Sequence, residues 1–259
     1  MSYDRKSFVS QGDLEIGAPQ RTALSSHPVT LSFGARGLGR VLGGIVLALI
    51  GCHLIGQYCK YELGNSYIFG LVPRFDLNEE FNIPTTFSVF QILLAAALLG
   101  ILWRYTVSIG DPQSRRWGFL SGLFLFLAVD ESAKIHELFN QPYFSESGTP
   151  GAFRFAWVIV YIPAVIALFL WMWPFFRRLV RPLRSYVALA AFLYLGGAIG
   201  VEMISGWYSG AFGFRNFGYA VITAIEEGAE MTGVTLFIYA LARHMAALSV
   251  SGIVTFREK

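Results

Sequence analysis

The chain has 259 residues, of which 54% are hydrophobic and 14% are charged. A soluble domain carries about 25% charged residues, so this composition excludes an ordinary soluble protein and predicts an integral membrane protein. The net charge is only +3, and no basic patch of the kind that binds nucleic acid stands out.

Six apolar runs are long enough to cross a bilayer as helices, which takes about 20 residues each. They cover residues 38–59, 85–108, 117–140, 154–176, 185–207 and 217–243. The sequence therefore predicts an all-α integral membrane protein with six transmembrane helices in residues 36–246. A disordered cytoplasmic tail is predicted for residues 1–35, and a short cytoplasmic tail for residues 247–259.

Basic residues predict the orientation. One side of the membrane would hold Arg36, Arg40, Arg104, Arg115, Arg116, Arg177, Arg178, Arg181, Arg184, Arg243, Arg257 and Lys259. The other side would hold only Lys60, Arg74, Arg154 and Arg215. Because loops rich in Lys and Arg stay in the cytoplasm, both the N and the C terminus are predicted to be cytoplasmic. We expect a multi-pass protein of the bacterial inner (plasma) membrane, surrounded by membrane lipids.

Carboxylates lie inside three of the predicted spans. They are Asp130, Glu131, Glu137, Glu202, Glu226, Glu227 and Glu230. The rise of a helix puts them at similar depths, in the outer half of the bilayer. Acids in hydrocarbon are costly and mark a site or a pathway. Lys134 and His136 accompany them, which is too little positive charge to balance seven ionised acids.

The distribution of polar residues predicts which spans meet. His53 in span 1 lies at a depth similar to that of the acids. We therefore expect spans 1, 3, 5 and 6 to form a polar-cored bundle, with spans 2 and 4 on the lipid side. Gly196 and Gly200 form a small-xxx-small step in span 5, a pattern that lets helices approach closely.

Span 3 also supplies the candidate catalytic residues. On a continuous helix, Asp130, Lys134 and Glu137 share one face, so Lys134 could bridge the two acids. In an enzyme, Lys134 would tune the charge of the site. Glu137 would act as a general base near the outer mouth.

The inventory of acids and histidines suits a divalent metal. The predicted ligands are Glu131, His136, Glu202, Glu227, Glu230 and His53. Helical di-iron sites use Glu-x-x-His, but Lys134 and Glu230 stand where histidine would be. Zinc and manganese are therefore as open as iron. Such a metal would activate water or polarise a carbonyl. We expect a metal-dependent enzyme that acts on a lipid or another membrane-soluble substrate.

Two other functions stay open, and the sequence does not decide whether the chain is an enzyme. The chain could be an accessory or structural subunit of a larger complex, with other membrane subunits as partners that satisfy the acids. It could also be a cation or proton transporter or channel. Against a pathway, residues 118–129 and 186–201, in the inner halves of spans 3 and 5, are apolar.

Overall fold

The computed structural model describes residues 34–136, 138, 151, 154–155 and 157–250. The regular secondary structure of these residues is entirely helical, with no strand among them. The helices are α1 Ala35–Tyr61, α2 Leu71–Arg74, α3 Ile83–Ser108, α4 Ser114–Ala133, α5 Trp157–Arg178, α6 Arg181–Leu195, α7 Glu202–Phe212 and α8 Phe217–Ala247. Of the tails predicted for residues 1–35 and 247–259, residues 1–33 and 251–259 lie outside the described residues, as does the candidate base Glu137.

Four helical segments are long and apolar enough to cross a membrane. They are Ala35–Tyr61, Ile83–Ser108, Trp157–Arg178 and the continuous stretch Arg181–Phe212. The prediction of an all-helical protein with membrane-type helices is confirmed at this level. The two other long helices, α4 and α8, carry five of the seven acids that lie in the predicted spans.

Helix α8 is the centre of the bundle. It packs against α1, α3, α6 and α7. Three consecutive residues of α8, Gly233, Val234 and Thr235, are all buried. Consecutive residues of a helix point about 100° apart, so α8 is covered on several sides. Most side chains on this helix are therefore at least partly buried.

Asparagine side chains begin two of the long helices. The Asn82 Oδ1 atom accepts the backbone N–H of Thr85 at 3.1 Å, at the start of α3. The Asn216 Oδ1 atom accepts the backbone N–H of Tyr219 at 2.8 Å, at the start of α8. Such caps satisfy N–H groups that the first turn leaves unpaired. Both helices thus have fixed starting points.

Helix α3 differs from the lipid-facing span that the sequence predicts. It packs along α4 and against α8, and Gln91, Ala95, Leu99 and Leu102 are all fully buried. The buried positions recur every three or four residues, which is the spacing of one helix face. One face of α3 therefore belongs to the interior. Helix α5, by contrast, exposes most of its residues.

Helix α4 ends earlier than the predicted span of residues 117–140. Its last residue is Ala133, and Lys134 has left-handed backbone angles (φ 53°, ψ 42°). The Asp130 Oδ1 atom accepts the backbone N–H of His136 at 2.8 Å, which ties the turn to the helix end. The continuous helical face expected for Asp130, Lys134 and Glu137 is therefore interrupted at Lys134.

Helices α6 and α7 are joined by a π-helical segment, Gly196–Val201. A π segment is wider than an α-helix and is found frequently at functional sites. The glycine that it packs through is Gly197, because a Cβ atom there would lie 2.7 Å from the Glu226 carbonyl oxygen. Gly196 and Gly200, the predicted pair, have no neighbour within 4 Å of such an atom. The predicted close contact exists, but through the adjacent glycine.

Candidate functional site

Acids from three segments of the chain converge beside the middle of α8. Glu227 interacts electrostatically with Glu131 of α4 and Glu202 of α7. Glu230 interacts with these three residues. All four are half-buried. The structure thus brings the predicted ligands Glu131, Glu202, Glu227 and Glu230 into one group, which we call the acid cluster.

Glu202 connects the acid cluster to Glu226 and Trp157. It interacts electrostatically with Glu226 of α8. The Trp157 Nε1 atom donates a hydrogen bond to Glu202 Oε1 at 3.4 Å. Glu202 follows the π segment directly and is the first residue of α7. The π segment therefore determines where Glu202 lies.

His136 lies at the edge of the acid cluster and interacts electrostatically with Glu131. Its Nδ1 atom is 3.4 Å from Asp130 Oδ2, and its ring meets Trp157 edge-on at 5.4 Å between centroids. The Tyr161 hydroxyl donates to Asp130 Oδ2 at 3.3 Å. Asp130 thus holds His136 in place through both its backbone and its ring. A carboxylate that orients an imidazole in this way is common behind metal-binding histidines.

The acids approach one another without forming a closed set of ligands. Among the described residues, no group of three or more His, Cys, Asp or Glu side chains is arranged to hold a metal ion. Ionised carboxylates repel one another when no cation lies between them. The arrangement is a converging group of acids with one imidazole at its edge.

The part of the chain that carries these residues defines its family. Residues 41–245 match the family described as Domain of unknown function (DUF8692). The chain belongs to that family. No curated protein and no solved structure matches the chain. The matched residues of this DUF8692 domain include α8 up to residue 245 and every member of the acid cluster.

His53, a predicted ligand of the DUF8692 domain, lies in a different set of contacts. Its Nδ1 atom accepts the backbone N–H of Leu77 at 2.9 Å. Its Nε2 atom is 3.0 Å from the Ala220 carbonyl oxygen, so it carries the proton and donates it there. Its electrostatic partners are Asp76 and Lys60. Both ring nitrogens are engaged with backbone, so this arrangement leaves neither for a metal.

Lys134, a predicted catalytic residue, makes an ion pair with a loop. Its Nζ atom is 2.7 Å from Oε1 of Glu80, which lies just before α3. The pair joins the end of α4 to the loop that precedes α3. The sequence predicts a different pairing for Lys134, with Asp130 and Glu137 of its own span.

Two polar residues beside the acid cluster are not among the predicted site residues. Tyr194 of α6 interacts electrostatically with Glu230, Glu131 and Glu227. Gln91 of α3 lines a cavity together with Glu131 and Glu230. Gln91 had a usable signal, since it is the sole amide between Ile83 and Ser108 and lies four residues before Ala95 on the buried face. Tyr194 had none, because tyrosine is common in apolar spans.

Proposed function

We propose that this DUF8692 protein has six transmembrane helices, with α4 and α8 as the third and sixth. Helix α4 has 20 residues and α8 has 31, which corresponds to about 30 and 46 Å at 1.5 Å per residue. Their packing along α3 and α1, two of the apolar helices, supports this proposal. The excess of basic residues on one side supports cytoplasmic termini in the bacterial inner membrane.

The acid cluster supports a metal-dependent enzyme as the function of this architecture. The observation that carries the proposal is the convergence of Glu131, Glu202, Glu227 and Glu230. Lys134 makes an ion pair with Glu80, and Lys60 makes one with Asp76. Cations that prefer oxygen bind carboxylates, and an ion between them would draw them closer. His136 would stand at the edge of the site, and Asp130 would orient its ring.

The proposed substrate is a lipid or another membrane-soluble compound. A site between membrane-type helices is reached from the bilayer more directly than from water. A bound divalent ion would supply a Lewis acid and an activated water. The acids of the chain would fix that ion, and Trp157 would hold Glu202 through its indole N–H. Glu137 stays a prediction as the general base.

Removing one acid of the cluster is expected to remove the metal. We would purify the full chain without chelator and measure metal content by mass spectrometry for the native protein, Glu230→Gln and Glu227→Gln. The native protein should hold about one divalent ion per chain, and each variant at least about tenfold less. Glu79→Gln, at an exposed loop residue, is the matched control and should retain the native content.

A well-folded native protein without stoichiometric metal would contradict the proposal. The acids would then have to be protonated or paired, which would favour proton transfer or an accessory role beside other membrane subunits. Equal metal in Glu79→Gln and Glu230→Gln would instead place the ion outside the acid cluster.

The proposed enzymatic activity is tested by comparing the membrane-soluble compounds of two strains. A strain that carries Glu230→Gln in its chromosomal copy should accumulate a membrane-soluble compound that a Glu79→Gln strain does not. The reason is that loss of the ion removes the Lewis acid while an exposed loop residue leaves it in place. Lipid extracts would be compared by mass spectrometry. Identical extracts from the two strains would contradict a membrane-soluble substrate.

A further inference from the structure

A small cavity lies between α3, α4, α6 and α8, on the α3 side of the acid cluster. It has about 10 Å³ of free volume, which is enough for about one water molecule or one ion. Two carboxylates, two hydroxyls and one amide face it, with three apolar side chains. The lining residues are Glu131, Glu230, Ser88, Tyr194, Gln91, Ile92, Met231 and Val234.

Gln91 is the unusual member of this lining. It is 0% exposed, and its Nε2 atom donates to Thr235 Oγ1 at 2.6 Å. Its Oε1 atom is buried and has no hydrogen-bond partner. A buried polar atom without a partner is destabilising, because it has lost its water and gained no hydrogen bond in return. The amide is thus fixed from one side by Thr235 while its carbonyl oxygen lacks a partner beside the cavity.

The missing partner has to be positive or to donate hydrogen. Carboxylate and carbonyl oxygens accept but do not donate, so Glu131, Glu230 and Gln91 do not satisfy one another when the acids are ionised. A water molecule, or the hydroxyls of Ser88 and Tyr194 in the lining, could donate to some of them, but these neutral donors would leave the charge of the acids unbalanced. A cation satisfies all three oxygens and balances the charge.

We infer that this cavity binds a divalent cation that prefers oxygen ligands, with Glu131 and Glu230 as charged ligands and Gln91 Oε1 as a neutral one. This inference rests on the proposed function and narrows it. Carboxylate and carbonyl oxygens are typical ligands of manganese. Magnesium and calcium prefer the same oxygen ligands, so the donor set selects this class of ion, and Mn²⁺ is the probe for it.

The test titrates Mn²⁺ alone into the full chain, purified in detergent and stripped with chelator. Free Mn²⁺ is followed by its electron paramagnetic resonance signal. Gln91→Leu is expected to weaken binding at least about tenfold. Gln57→Leu is the matched control, because Gln57 is also a buried glutamine with an unpartnered amide nitrogen, on α1. It should bind Mn²⁺ as the native protein does.

Two more variants keep the test decisive if Gln91→Leu does not fold. Gln91→Glu adds a negative ligand and should bind Mn²⁺ at least as tightly as the native protein. Gln91→Lys supplies a positive charge in place of the ion, so it should fold and lose Mn²⁺ binding. Spin-echo spectra of the bound ion should show no directly bonded nitrogen.

The outcomes separate this inference from the proposed function. Loss of Mn²⁺ in Glu230→Gln with native affinity in Gln91→Leu would overturn the role of Gln91 and leave the metal site standing. A directly bonded nitrogen would overturn the all-oxygen site. Absence of Mn²⁺ binding in the native protein, together with absence of any metal after purification, would overturn both.

Discussion

Replacing Gly197 by alanine is expected to destabilise the protein by about 1–3 kcal/mol, the usual cost of forcing an extra carbon into a well-packed contact. The new Cβ atom would lie 2.7 Å from the Glu226 carbonyl oxygen and 2.9 Å from Cγ of Glu230. The carbonyl belongs to the backbone of the central helix and has little freedom to move. The π segment would have to shift away from α8.

The neighbouring glycines provide the control for Gly197. Gly196→Ala and Gly200→Ala place their Cβ atoms in open space, and alanine is favoured over glycine in a helix by about 0.5–1 kcal/mol. These variants should match or exceed the native stability. The measurement is the unfolding midpoint temperature of the three variants in one detergent. A Gly197→Ala midpoint equal to that of Gly196→Ala would contradict the close contact.

The second large effect is expected at His53, where alanine should lower the free energy of unfolding by about 2–5 kcal/mol. The substitution leaves the Leu77 N–H and the Ala220 carbonyl without their partner. The unpaired Leu77 N–H costs about 1–3 kcal/mol, and loss of the ring also leaves a cavity. The Ala220 carbonyl loses one donor but keeps its place in the hydrogen-bond ladder of α8. His53 joins α1 to both the loop before α3 and the start of α8, so its loss affects three segments.

A second readout on His53 separates anchoring from metal binding. His53→Gln, where it folds, should keep the native metal content, because both ring nitrogens contact backbone. His244→Gln is the comparison for stability: this half-buried ring stacks on Trp117, a contact worth about 1 kcal/mol. If His53→Gln folds but loses the metal, His53 is a ligand as the sequence first suggested. If His53→Ala unfolds no more readily than His244→Gln, the anchoring role is wrong.

The sequence predicted the helices better than their ends and neighbours. Apolar runs fix where membrane-type helices form, because hydrocarbon leaves the backbone few other options. No glycine or proline marks the end of α4 at Ala133 in the sequence. The turn after it is held by the Asp130 carboxylate, which accepts the His136 N–H, and sequence spacing does not predict that contact. The lipid-facing role assigned to span 2 followed from its low polarity. The one amide of that span, Gln91, in fact donates a hydrogen bond to Thr235 of α8.

The candidate site shows the same division. Glu131, Glu202, Glu227 and Glu230 could be grouped from depth alone, because rise along a helix is regular. The rotation of each helix about its axis is set by packing, which no single span encodes. For this reason His53 shares the predicted depth of the acids, yet it faces a different set of partners.

The π segment Gly196–Val201 has a consequence for how this family could have acquired its site. A π turn holds one additional residue, and one residue rotates everything that follows by about 100°. Without it, Glu202 would begin its helix on a different side and would no longer meet Glu226. A single-residue insertion could thus have brought an acid of this segment to α8, and a deletion would reverse it. Among relatives, the length of this segment is as informative as the presence of the acid.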